Sequence, residues 1–238
     1  IIQDAAETEA LARSVESSGG VTIVPALSGL GAPYWRADAR GVIAGLTHGA
    51  GRAEIVRAAL ESIAHQLHDL KSAFAGDGCD WNQLRIDGGM SANDWIAQDI
   101  ADILDLGVKR PHDIETTGRG AAMLAAVGIG RFASLTEASA MCGHVDPFNP
   151  GMGAEIRRVR LEGWRHLVAC HTRTPFRRDL IAVNGLASGR RSSPRNFAVP
   201  NKREALLGTK PSRKPTVGGK CRQLIIIALN RTVGWRPF

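Results

Sequence analysis

Gly29 to Glu61 reads GLGAPYWRADARGVIAGLTHGAGRAEIVRAALE, and Ile86 to Asn93 reads IDGGMSAN. In the first stretch Gly41-Val42-Ile43-Ala44-Gly45-Leu46 predicts a strand. A helix follows over 53–75, with Ile55, Ala59, Ile63, Gln66/Leu67 and Leu70 at helical spacing. In the second, a short strand over 83–87 runs into Gly88-Gly89 and then a helix over 93–106. Two glycines without Cβ atoms let the backbone approach a flat ligand closely. A helix starting near Ser91 has free N–H groups, and its dipole favours a nearby phosphate. Asn93 can hydrogen-bond a base or ribose edge. The competing reading is a plain tight turn with Ser91 as N-cap. For an isolated Asp-Gly-Gly that reading is the commoner one, since a lone glycine motif is weak evidence.

Outward from these stretches, residues 4–17 predict a short helix with Asp4 as N-cap. Residues 21–27 predict a buried strand that Pro25 ends early. The loop 28–40 is punctuated by Gly29, Gly31 and Pro33. Further on come a strand over 108–111, an alanine-rich helix over 118–127 and helices over 135–142 and 156–170. Strands alternating with helices imply an α/β domain with a largely parallel sheet. Segments 21–27, 41–46, 83–87 and 107–110 are expected to share that sheet, with helix 53–75 packed on it.

Composition divides the chain differently. It has 238 residues, a net charge of +7 and 44 % hydrophobic residues, enough for one core plus an extension. Half of the 30 Lys and Arg lie after Cys170, against two acids there, Asp179 and Glu204. Prolines 175, 194, 200, 211 and 215 punctuate that region, and no helix or strand period emerges over 171–223, so a low-order tail without a packed core is expected for 171–238. A basic tail can neutralise nucleic-acid phosphates. Its few aromatics and lack of an ordered motif favour instead an out-of-frame extension, so nucleic acid is not the expected partner. The apolar run Leu224–Leu229 is far short of the ~20 residues of a membrane helix, so no membrane partner is expected. Scattered Cys79, Cys142, Cys170 and Cys221 read as reduced, cytoplasmic thiols with no zinc spacing. Ile1-Ile2-Gln3, with no initiator Met, reads as a cut into a longer chain.

Glycines 41 and 45, Ile43, Leu46, Glu54-Ile55 and Ala58-Ala59-Leu60-Glu61 together resemble the second signature of the FGGY carbohydrate kinases. Gly31-Ala32-Pro33-Tyr34-Trp35 is similar to the glycerol-phosphorylating branch of that family. Asp4–Ala10, Glu115–Ala122 and Gly163-Trp164 add to the resemblance, with Arg36, Gly118 and Arg119 as departures. It covers about residues 1–170 and stops there.

The resemblance implies a ribonuclease H-like (actin-like ATPase) domain, the nucleotide side of a two-domain kinase. It implies ATP and Mg2+ as cofactors and transfer of the γ-phosphoryl group to glycerol. The glycerol pocket, the phosphate hairpin and the catalytic aspartate would belong to a half that lies upstream of Ile1. No catalytic residue and no metal ligand is therefore assigned. Gly88, Gly89 and Asn93 are the expected ATP-binding residues. Asp87 is expected to cap the turn, with nucleotide or magnesium placement as the alternative. His65 and His68 are expected to be structural or exposed, and Tyr34 and Trp35 to pack. Another FGGY sugar or polyol kinase, or a catalytically dead nucleotide-binding or interaction module, remains open, as does a homo-oligomer.

Overall fold

The computed structural model describes residues 1–173 and the strand 223–228. The rest of the tail, 174–222 and 229–238, lies outside the described residues. In chain order the elements are α1 (Glu7–Arg13), β1 (Thr22–Val24), β2 (Val42–Ala44), α2 (Arg52–Gly76), β3 (Trp81–Asp87), α3 (Asp94–Leu104), β4 (Val108–Pro111), α4 (Thr116–Gly128), α5 (Leu135–Ala138), β5 (Val145–Phe148), α6 (Ala154–Arg173) and β6 (Gln223–Ala228). Short 3-10 turns cover Gly89–Ala92 and Ser139–Met141.

The class is mixed α/β, but the single sheet expected from sequence is not what forms. β1 and β2 make a separate antiparallel pair, while the other strands run in the order β5-β4-β3-β6. β3 is parallel to both β4 and β6, and β5 is antiparallel to β4. The physical reason lies in β1 and β2 themselves. Each has three residues, and Pro25, directly after β1, cannot donate to a ladder. Gly45 has φ +77, and a Cβ there would stand 2.1 Å from the Gly20 carbonyl oxygen. Val24 of β1 is buried in a cluster with Ala26, Leu30, Ala39, Trp164 and Val168, while Ile43 of β2 is exposed.

A larger core joins α2, α3, β3 and β4 through Leu60, Leu67, Leu84, Ile86, Ile96, Ile100 and Leu104. α2 starts where the Gly51 N–H donates to Glu54 Oε2 at 2.9 Å, which satisfies one orphan donor of the first turn. Its buried side is broader than the predicted stripe. Ala59 is exposed, whereas Val56, Ala58, Leu60, Ala64 and Leu67 are buried along with Glu61, Ser62, His65 and Asp69. α1 is shorter than predicted, because Asp4 Oδ1 accepts from the Ala6 N–H in a turn before the helix rather than capping it. α4 is the opposite of α2: none of its residues is buried, and Leu124 is 62 % exposed.

Two buried carboxylates of α2, Asp69 and Glu61, meet side chains of α6. Asp69 Oδ2 accepts from Trp164 Nε1 at 2.6 Å and from the Tyr34 hydroxyl at 2.7 Å. Burial, and then the bond to Asp69, push the Tyr34 phenol well above its ordinary range. So Tyr34 packs as expected, whereas Trp35 is 78 % exposed. Arg160 forks onto both carboxylate oxygens of Asp99 at 2.6 and 2.9 Å, and lies 3.7 Å from Glu61.

His65 is structural. Its ring stacks on Trp164 with centroids 5.3 Å apart. Burial, reinforced by the Arg160 charge, lowers its pKa to about 3. An unfolded imidazole titrates near ~6.5. Between those values the unfolded chain binds a proton that the folded chain refuses, so stability falls as pH drops below ~6.5. At pH 5 this group alone is expected to cost about 2 kcal/mol relative to pH 7. Urea midpoints of the wild type and of His65→Phe at both pH values measure it. The Phe variant should lose less on acidification, and equal losses would refute the assignment.

Candidate functional site

β3 delivers its last residue, the buried Asp87, to Gly88, whose φ of 84° and ψ of 169° suit glycine. The 3-10 turn Gly89–Ala92 follows, and only then does α3 begin, so the helix starts later than the sequence predicts. Ser91 is not its cap. Its side chain is fully buried, with Oγ donating to the Gly88 carbonyl at 2.7 Å. The cap is Asn93, whose Oδ1 accepts from the Ile96 N–H at 3.0 Å. Asn93 Nδ2 donates to Thr8 Oγ1 at 3.3 Å and so ties α1 to the turn.

The turn is braced on two sides. The Gly88 N–H donates to the Ile114 carbonyl at 3.2 Å. Arg110 donates to the Ser91 carbonyl at 2.8 Å while pairing with Asp94 at 2.7 Å and Asp146 at 3.1 Å. Gly88 and Gly89 are half-buried in this frame. The structure thus brings Gly88, Gly89 and Asn93 together around one bend.

Two expectations about the bend are corrected. The first turn of α3 is not a vacant phosphate seat, because the Asp94 N–H donates to Glu9 Oε2 at 3.2 Å and the Ile96 N–H goes to Asn93. Carboxylates of Glu9 and Asp94 stand at that helix end, paired with Arg13 and Arg110. Asp87 does not cap the turn either. Its Oδ2 accepts from the Thr116 hydroxyl at the start of α4, and its Oδ1 is buried with no partner among the described residues. Beside it, Ile86, Pro111, Met123 and Val145 line a mostly apolar crevice of about 200 Å³. The links from Glu9 and Thr8 to α3 span 85 residues, and no local sequence signal announces them.

The other histidines stay outside the site: His48 is exposed, and His68 lies on α2. The described residues contain no group of three or more His, Cys, Asp or Glu that could hold a metal ion. Mg2+ does not need such a group, since it is usually held by one or two protein carboxylates together with substrate phosphates. No helix among the described residues is long and apolar enough to cross a membrane.

Residues 2–129 match the model of the FGGY family of carbohydrate kinases, C-terminal domain. The chain belongs to that family. A glycerol kinase of Alcanivorax borkumensis is 47 % identical over 175 residues, which are 72 % of this chain and 35 % of that protein. A crystal structure of Plasmodium falciparum glycerol kinase with ADP superposes with a TM-score of 0.64 at 35 % identity, covering 71 % of this chain and 34 % of that one. A ligand-bound xylulose kinase from Lactobacillus acidophilus, 21 % identical with a TM-score of 0.57, shares the fold, over 75 % of this chain and 35 % of its own. The chain spans about a third of the length of the relatives it matches. Its FGGY domain is thus glycerol kinase-like, as the motifs at Gly31–Trp35 and Gly41–Glu61 predict.

Proposed function

We propose that this FGGY domain is the nucleotide side of an ATP-dependent glycerol kinase, a ribonuclease H-like (actin-like ATPase) domain over residues 1–170. ATP or ADP lies along the Gly88-Gly89 bend. There the missing side chains admit the adenosine face, and the second N–H of Asn93 Nδ2, the first being given to Thr8, is left to meet base or ribose. The observation that carries this reading is the bend itself, braced from Ile114, Arg110 and Thr8, in a chain 35 % identical to a glycerol kinase solved with ADP. Glycerol meets the nucleotide only when the part of the kinase that this chain does not span is present, and a cytoplasmic location goes with that reading. Mg2+ supplies charge neutralisation on the phosphates when bound; this chain's own residues orient the adenosine and keep the bend rigid. Contacts from the helix end of α3 to phosphate are not part of the reading, since Glu9 and Asp94 occupy it.

Titrating the full chain with ADP tests it. Half a cleft buries less ligand, so millimolar affinity, ~4 kcal/mol, is expected. Backbone amide signals of Gly88, Gly89 and Asn93 should move first, and Gly89→Val should abolish the shifts while leaving circular dichroism unchanged. Shifts confined to other regions would refute the site.

A further inference from the structure

α6 turns one side to the core and another to solvent. Leu161, Trp164 and Val168 are buried, while Glu162, His166 and Cys170 are exposed. The exposed residues follow one another at a spacing of four, so they climb one face of the helix turn by turn. The upper pair meets: Cys170 Sγ lies 3.7 Å from His166 Nε2. Glu162, one turn below, is engaged by Arg158 at 2.7 Å. The helix is anchored beside the pair, because the Arg40 N–H donates to His171 Nε2 at 3.1 Å and Arg36 donates to the Thr172 carbonyl. His171 is therefore spent on the loop before β2, and His166 with Cys170 is left at the surface of a fixed element.

We propose that His166 and Cys170 are a two-ligand seat for a borderline-soft divalent ion of the Zn2+ type. Tetrahedral Zn2+ holds a thiolate sulfur at about 2.3 Å and an imidazole nitrogen at about 2.0–2.1 Å, which sets the two donors about 3.6 Å apart. The pair already stands at that separation, so an ion enters between the two donors with little rearrangement. On binding, the Cys170 thiol gives its proton to solvent, and its sulfur and His166 Nε2 replace two waters of the hydrated ion. Water keeps the other positions. Cys170 lies in the last turn of α6, which ends at Arg173, and carbonyls at a helix C-terminus favour a cation. The sulfur and nitrogen donors select Zn2+ over Mg2+ and Ca2+, which take oxygen. Neither residue belongs to the Gly88-Gly89 bend, so the seat stands whether or not nucleotide binds there.

Titrating the reduced full chain with Co2+, a spectroscopic stand-in for Zn2+, tests this without any nucleotide. A sulfur-to-cobalt charge-transfer band should grow in the near ultraviolet and be bleached by added Zn2+. Cys170→Ser should abolish the band, whereas Cys142→Ser, which alters another exposed thiol, should keep it. His166→Gln should weaken Co2+ binding by at least about tenfold, the lower end of what losing even an outer-shell partner costs a metal site. All three positions are exposed, so circular dichroism should be the same in every variant. Absence of the band in the wild type would overturn the proposal. So would its persistence in Cys170→Ser, its loss in Cys142→Ser, or wild-type affinity in His166→Gln.

Discussion

Incubated alone with ATP, Mg2+ and glycerol, the chain is expected to turn over no faster than its Gly89→Val variant. The described residues around Gly88-Gly89 offer hydrogen-bond donors and a rigid bend, and the carboxylate beside them, Asp87, is buried and engaged by the Thr116 hydroxyl. Loss of a general base alone typically costs ~10²–10⁴-fold in rate. Loss of the second substrate's orientation costs more, since well-oriented groups reach effective molarities of ~10⁵ M and above. Phosphoryl transfer is almost wholly positioning and charge stabilisation, so these losses compound. A coupled ADP-release assay on purified chain measures this, with Gly89→Val controlling for contaminating kinase. Adding the separately expressed N-terminal two-thirds of a glycerol kinase relative should raise turnover in the wild type and not in the variant. Turnover by the chain alone, clearly above the control, would show that it holds a complete site.

The second large effect is thermodynamic. Arg160→Ala is expected to lower stability by about 3–5 kcal/mol, enough to unfold a marginal domain. Both guanidinium contacts to Asp99 are short, and Asp99 is 5 % exposed. Burial pushes the Asp99 carboxyl above its ordinary range, and the Arg160 partner is what pulls it back. Removing the arginine strands a carboxylate between α3 and α6 and leaves Glu61 with Arg57 as its remaining partner. The paired replacement Asp99→Leu with Arg160→Met should recover most of the loss, because a buried ion pair is often no better than packed hydrophobic side chains. Urea unfolding of the wild type and the two variants measures both values. A loss under about 1 kcal/mol for Arg160→Ala would place the pair in solvent rather than in the core.

Helical periodicity made α2 and α3 legible, and the Gly88-Gly89 bend was legible as a turn because two glycines between strand and helix permit a tight change of direction. The buried side of α2 was not. Glu61, His65 and Asp69 are polar, and their burial depends on Arg160 and Trp164, which arrive from α6. β5 was missed because Pro147 sits inside it, and a proline is tolerated only on an edge strand such as this one. β6 was missed for a different reason. Its apolar run is visible, but its partner lies about 140 residues earlier, and local pattern does not encode register across such a distance. The same holds for the split between the two sheets, which depends on where Val24 finds its cover. At the site, the glycines were legible while the occupants of the α3 helix end were not, since Glu9 reaches it only after folding.

α4 carries a consequence for the life of the molecule in a cell. A helix with no buried residue is held by its hydrogen bonds and by its first turn, where Asp87 meets Thr116 and Arg119 meets Asp113. Such a segment opens locally at little free-energy cost while the α2–α3 core stays closed. Proteases cleave what is open, at a rate set by the population of the open form. Among the described residues, cleavage within these thirteen is therefore governed by the local opening of α4, and not by the global stability that Arg160 and Asp99 maintain. A substitution in the core could double the folding free energy and leave that cleavage unchanged.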